Sequence, residues 1–111
     1  MKKNITLKFE FEGKKYSKKA ALVKLSSGSY VINEKAKNDC IDIWEDEILD
    51  RGFWSVMIQC EDDLYAELRL KYNHRKYELT FDYVDLMLWN ETDPLLAAIP
   101  QNVTMKVTNN R

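Results

Sequence analysis

Apolar residues recur at every second position through the middle of this chain. Trp54, Val56, Ile58 and Cys60 form one such series; Leu64, Ala66, Leu68, Leu70 and Tyr72 a second; Tyr77, Leu79, Phe81 and Tyr83 a third. A period of two is that of a strand with one face against a core. Residues directly opposite each other must share a face, so the series also constrain their own pairing. The loop Glu61-Asp62-Asp63 sets Cys60 opposite Leu64, Ile58 opposite Ala66 and Trp54 opposite Leu70. A turn at His74-Arg75 sets Tyr72 opposite Tyr77, Leu70 opposite Leu79 and, on the wet face, Lys71 opposite Glu78. Both hairpins keep one inner face, which predicts a three-stranded antiparallel meander over 53–84.

The first third follows the same period less cleanly. Ile5, Leu7, Phe9 and Phe11 predict a strand over 4–11, and Glu12-Gly13-Lys14 a turn in which glycine takes the positive φ. Residues 20–25 read as a strand that turns at Ser26-Ser27-Gly28-Ser29 into Tyr30-Val31-Ile32, with a helix capped by Ser17 as the alternative. Val103, Met105 and Val107 predict a last strand.

Two stretches break the period of two. Ile41, Trp44 and Ile48 fall on one side of a helical wheel, with Asp39, Asp42, Asp46 and Asp50 on the other; Asn38 or Asp39 suits the cap and Gly52 the stop. This predicts an amphipathic helix over about 39–51. Pro94 and Pro100 bracket a short helix near 94–99 whose Leu95, Leu96, Ala97, Ala98 and Ile99 are apolar on every side. The expected fold class is therefore α+β, a single domain over 1–111. A curved or partly closed antiparallel sheet of six to seven strands packs on the 39–51 helix. Trp54, Ile58, Leu68, Leu70, Leu79, Phe81, Ile41, Trp44 and Ile48 are the expected core, and Trp44→Ala or Phe81→Ala is expected to cost about 3–5 kcal/mol.

Charge changes the picture more than composition does. Residues 1–37 carry ten lysines against three acids, and residues 38–111 carry seven basic residues against fifteen acids, so the net −1 conceals a +7 and a −8. Such asymmetry bears on partners and solubility, not on fold. The early lysines lack the apolar run of a signal peptide, because Lys8 and Glu10 interrupt it, and no stretch has the length of a membrane span. A cytoplasmic protein is expected. Cys40 and Cys60 are too few for a disulfide framework and lack metal-ligand spacing, so both read as buried free thiols.

No catalytic set emerges, and no enzyme, cofactor or metal is expected. His74 sits in a turn without a positioned partner, and the three glycines are never clustered into a phosphate-binding loop. Glu61-Asp62-Asp63 reads as a solvated acidic loop rather than a cation site. The function expected instead is non-enzymatic: a protein-binding or regulatory module, of inhibitor type, with a protein partner and a homodimer among the assemblies. Its candidate partner-binding residues are Asp39, Asp42, Asp46 and Asp50 on the acidic helix face, and Leu88, Trp89, Leu95, Leu96 and Ile99 in the apolar 86–99 segment. The alternative is single-stranded nucleic-acid binding through Lys14, Lys15, Lys18, Lys19 and Lys24, with Phe9, Phe11, Tyr16 and Tyr30 interspersed. Weighing against it, that segment holds no arginine, the usual base reader.

Overall fold

Alternation governs nearly the whole molecule. A computed structural model describes residues 2–45, 52–73, 75–76, 78–88 and 96–110, excepting the side chains of 96–98, 109 and 110. Among the described residues nine strands form two antiparallel sheets. The strands are β1 (Lys2–Phe11), β2 (Lys14–Lys24), β3 (Tyr30–Ile32), β4 (Cys40–Glu45), β5 (Phe53–Glu61), β6 (Leu64–Asn73), β7 (Glu78–Leu88), β8 (Leu96–Ala98) and β9 (Gln101–Asn110). The four-stranded sheet has the order β3-β2-β1-β9 and the five-stranded sheet β4-β5-β6-β7-β8. They share one core: Ile5, Leu7, Phe9 and Leu22 from one sheet meet Val56, Ile58, Leu68, Leu70 and Leu86 from the other. No helix among the described residues is long and apolar enough to cross a membrane.

The expected α+β class is overturned, since this is an all-β sandwich and no helix occurs among the described residues. Cys40–Glu45, expected to open the amphipathic helix, is an edge strand paired with β5. A bulge between Cys40 and Asp42 inserts one residue, and that extra residue displaced the strand period towards a helical one. Ile43 therefore packs on the core, while Ile41 (50% exposed) and Trp44 (37% exposed) do not. β-branched Ile41 and Ile43 and aromatic Trp44 suit an extended backbone, and the β5 edge supplies the partner that a helix would have forgone. Ile48, Asp46 and Asp50 lie outside the described residues. The short helix near 94–99 is likewise corrected: Leu96–Ala98 pairs with β7 as a strand, and positions 94 and 95 lie outside the described residues.

The meander expected over 53–84 is present as β5-β6-β7, with Ile58 opposite Ala66 and Trp54 opposite Leu70. Cys60 is not opposite Leu64; Glu61 is, and Cys60 is the extra residue of a bulge. In the next hairpin Tyr72 faces Leu79 and Lys71 faces Thr80, so the turn is two residues longer than expected. Asn73 accounts for it: its Oδ1 accepts from the backbone N–H groups of Arg75 (2.9 Å) and Lys76 (3.2 Å), a side-chain turn that lengthens the loop. A bulge at Asp82 then reverses the parity of β7. Val84 and Leu86 point into the core, Tyr83 pairs outward with Arg69, and Phe81, expected in the core, is 41% exposed. Between β1 and β2 the loop is Glu12-Gly13, with φ 50° and 77°, the double left-handed conformation of a two-residue hairpin turn.

The sheets are joined along one side by the segment after β3. Asn38 Oδ1 accepts the backbone N–H groups of Ala21 (3.0 Å) and Cys40 (3.1 Å), and its Nδ2 donates to the Ala21 carbonyl (2.7 Å). One side-chain amide thus pairs with β2 as a strand would. Asp39 continues the pairing: its N–H donates to the Lys19 carbonyl (2.9 Å) and its Oδ2 accepts the Lys19 N–H (2.8 Å). Its carbonyl accepts the Gln59 N–H of β5 (2.9 Å). Two consecutive residues therefore satisfy β2 and tie it to the opposite sheet.

Urea unfolding should show Leu68→Ala losing about 2–5 kcal/mol as a core cavity, and Trp44→Ala markedly less. Asn38→Ala should lose about 1–3 kcal/mol, because the buried Ala21 N–H is left without its partner, while the Ala21 carbonyl keeps the Asn33 N–H (2.9 Å).

Candidate functional site

The outer surface of the five-stranded sheet gathers a set of side chains typical of contact surfaces. Register places Trp44, Ser55, Arg69 and Tyr83 in one row across β4, β5, β6 and β7. The Arg69 guanidinium lies over the Tyr83 ring at 4.7 Å. Ser55, only 1% exposed, sits between the large Trp44 and Arg69, and its Oγ has no hydrogen-bond partner among the described residues. The next row is Asp42, Met57, Glu67 and Asp85. There Glu67 and Asp85 face each other directly, a like-charge pair that costs stability on a sheet. On the far side of the central row, Lys71 lies over the Phe53 ring at 6.0 Å.

The outer surface of the four-stranded sheet is different. β2 alternates, so Lys15, Ser17 and Lys19 face outward while Tyr16, Ala20 and Leu22 face the core. Beside them run Thr6, Lys8 and Glu10 of β1, then Thr104 and Lys106 of β9.

The strand therefore splits the five candidate lysines. Lys15 and Lys19 share the outer face; Lys14, Lys18 and Lys24 lie on the core side of β2. Lys14 forms an ion pair with Glu61 of the opposite sheet, and Tyr16 donates to the same carboxylate (3.1 Å) while stacking on Phe9. The Lys14 bond, and then that from Tyr16, holds Glu61 below the usual carboxylate range; the same ion pair raises Lys14. Lys24 bonds the Tyr72 hydroxyl at the other end, where Tyr30 meets Trp54 and Tyr72 edge-on at 5.3 and 5.5 Å. Burial, then the Tyr72 phenol, pushes the Tyr30 hydroxyl far up. Lys14 and Lys24 thus clasp the two sheets together. Lys3, 1% exposed, continues the inward series of Ile5 and Leu7, and desolvation lowers its ammonium pKa.

The acidic stripe expected on a helix is dispersed. Asp39 is spent on the joint with β2, Asp42 lies on the outer face of the five-stranded sheet, and Asp46 and Asp50 are outside the described residues. In the 86–99 segment Leu86 is core and Leu88 packs against it. Ile99 is 85% exposed; Leu96 lies in β8; Trp89 and Leu95 are outside the described residues. Periodicity hides the central row, because it sets Trp44 on a helix and Tyr83 at the end of the inner-face series that begins at Tyr77. Alternation on the wet face of β6, Tyr65-Glu67-Arg69-Lys71, was the available signal.

No family model, curated protein or solved structure matches this chain.

Cys40 and Cys60 are free, buried thiols, and burial pushes each up to about 11. An unfolded chain releases these protons near 9 while the fold retains them, so stability should fall as pH rises from 9 towards 11. Urea titrations across that window should show the loss, and it should shrink in the Cys40→Ala, Cys60→Ala double variant. Glu61 has the opposite sign: its contribution is present above the carboxylate range and disappears on acidification through it.

Proposed function

We propose that this protein is a non-enzymatic protein-binding module whose contact surface is the outer face of the five-stranded sheet. The row Trp44–Ser55–Arg69–Tyr83 carries the proposal. Tryptophan, arginine and tyrosine are the residues that dominate binding energy at protein interfaces, because each offers a large apolar area with a polar end. Here they stand on β4, β6 and β7 of one hydrogen-bonded sheet rather than on loops, so little ordering entropy opposes contact.

The neighbouring row gives the partner a sign. Asp42, Glu67 and Asp85 in line favour a basic side chain reaching across, which would relieve the opposed Glu67–Asp85 pair. Ile99, beside the β8 edge, adds an exposed apolar contact. A cytoplasmic location belongs to the same proposal and is supported by the two free thiols.

Proteins captured by the wild-type chain in its native host should be lost from Trp44→Ala and Arg69→Ala. Each truncation should cost about 2 kcal/mol or more, some thirtyfold in affinity. Trp44 is exposed and Arg69 half-buried outside the core, so both variants should remain folded, with only a small drop in the unfolding midpoint. A captured set unchanged by both substitutions would overturn the proposal.

A further inference from the structure

The opposite face of the sandwich carries a second, independent arrangement. Outside the β3 corner, the outer surface of the four-stranded sheet is a lysine lattice drawn from three strands. Lys8 of β1 is at its centre. Lys19 and Lys106 flank Thr6 in one row, Ser17 and Thr104 flank Lys8 in the next, and Lys15 faces Glu10 in the row beyond. With strands about 4.8 Å apart and same-face residues about 6.7 Å apart, the Cα atoms of Lys15, Lys19 and Lys106 each lie about 8 Å from that of Lys8. Lys8, Lys15, Lys19 and Lys106 are all exposed.

We propose that this face binds the phosphate backbone of nucleic acid without reading its bases. Four ammonium groups on flexible stems can each meet a different phosphate, and release of the counterions drives binding. The hydroxyls of Thr6, Ser17 and Thr104 lie between the lysines and are further donors to phosphate oxygens. Two shallow hollows border Lys8, one of about 410 Å3 with Thr6, Thr104 and Lys106 and one of about 310 Å3 with Lys15 and Ser17. They form a discontinuous track across the strands. Of the aromatic side chains of these strands, Phe9 and Tyr16 are buried in the core and Phe11 packs against it, so no stacking platform or base reader faces the ligand. Stable anchoring to an anionic membrane takes an inserting apolar side chain beside the basic charge, and the rows from Thr6 to Glu10 expose none.

Fluorescence anisotropy with labelled oligothymidine tests the proposal. At low salt the full chain should bind, and the log–log salt slope should be about −3, as four neutralised phosphates on a single strand require. Lys8→Glu and, separately, Lys106→Glu should each weaken binding about tenfold, and Lys14→Gln, on the core side of β2, should not. Oligocytidine should bind as well as oligothymidine; about a tenfold preference for either would overturn the base-blind assignment. No binding at low salt, or binding indifferent to both charge reversals, would overturn the proposal altogether. So would a face that binds phosphatidylserine vesicles but no oligonucleotide. Light scattering that shows self-association abolished by Lys8→Glu, without oligonucleotide binding, would give the face to a second copy instead.

Discussion

The pairing of two residues, Asn38 and Asp39, with the outer edge of β2 is the constraint on which the sandwich depends. A strand at the limit of its sheet leaves backbone groups that must find partners, and at Ala21 those groups are buried. β3 is only three residues long and reaches no further than Leu22. From there the Asn33 N–H shares the Ala21 carbonyl with the Asn38 amide, Asn38 alone accepts the Ala21 N–H, the Asp39 backbone and carboxylate pair with Lys19, and the Asp39 carbonyl passes the connection to β5. The joint sets one sheet over the other and so decides which faces meet in the core.

Once the inner faces are paired, the outer ones follow without further choice. The basic first third supplies β1 and β2, and the acidic middle supplies the five-stranded sheet, so the charge split along the chain becomes a difference between opposite surfaces. β9 returns from the end of the chain to lie beside β1 and adds Lys106 to the basic side. The ends of the sandwich are held differently, by a lysine and a tyrosine reaching across the core at each: Lys14 and Tyr16 on Glu61, and Lys24 on Tyr72, which packs on Tyr30. Lysines in one continuous run thus do two kinds of work, decided by whether their number is even or odd along β2.

Alternation made the long strands legible, and with them the meander and its part of the core, Trp54, Ile58, Leu68, Leu70 and Leu79. Bulges hid the rest. An inserted residue at Ile41 gave an edge strand the spacing of a helix, and one at Asp82 moved Tyr83 from the expected inner face to the outer one. A bulge depends on tertiary pairing and has little local signature, so periodicity alone cannot find it. The candidate surfaces were legible only as residue types. Lys15 and Lys19 were singled out, but their neighbour Lys106 lies near the far end of the chain, and Trp44, Arg69 and Tyr83 meet only once three strand pairings are known. Non-local registry of this sort is settled by the fold as a whole.

Amide hydrogen exchange at Lys19, Ala21 and Gln59 tests the account most directly. These three N–H groups receive their partners from Asp39 and Asn38 rather than from a regular ladder. If the joint organises the sandwich, all three exchange as slowly as the amides of β5 and β6 and require global unfolding to open. Exchange at the rate of an open loop, with β5 and β6 still protected, would show two sheets that hold together without it and would contradict the account.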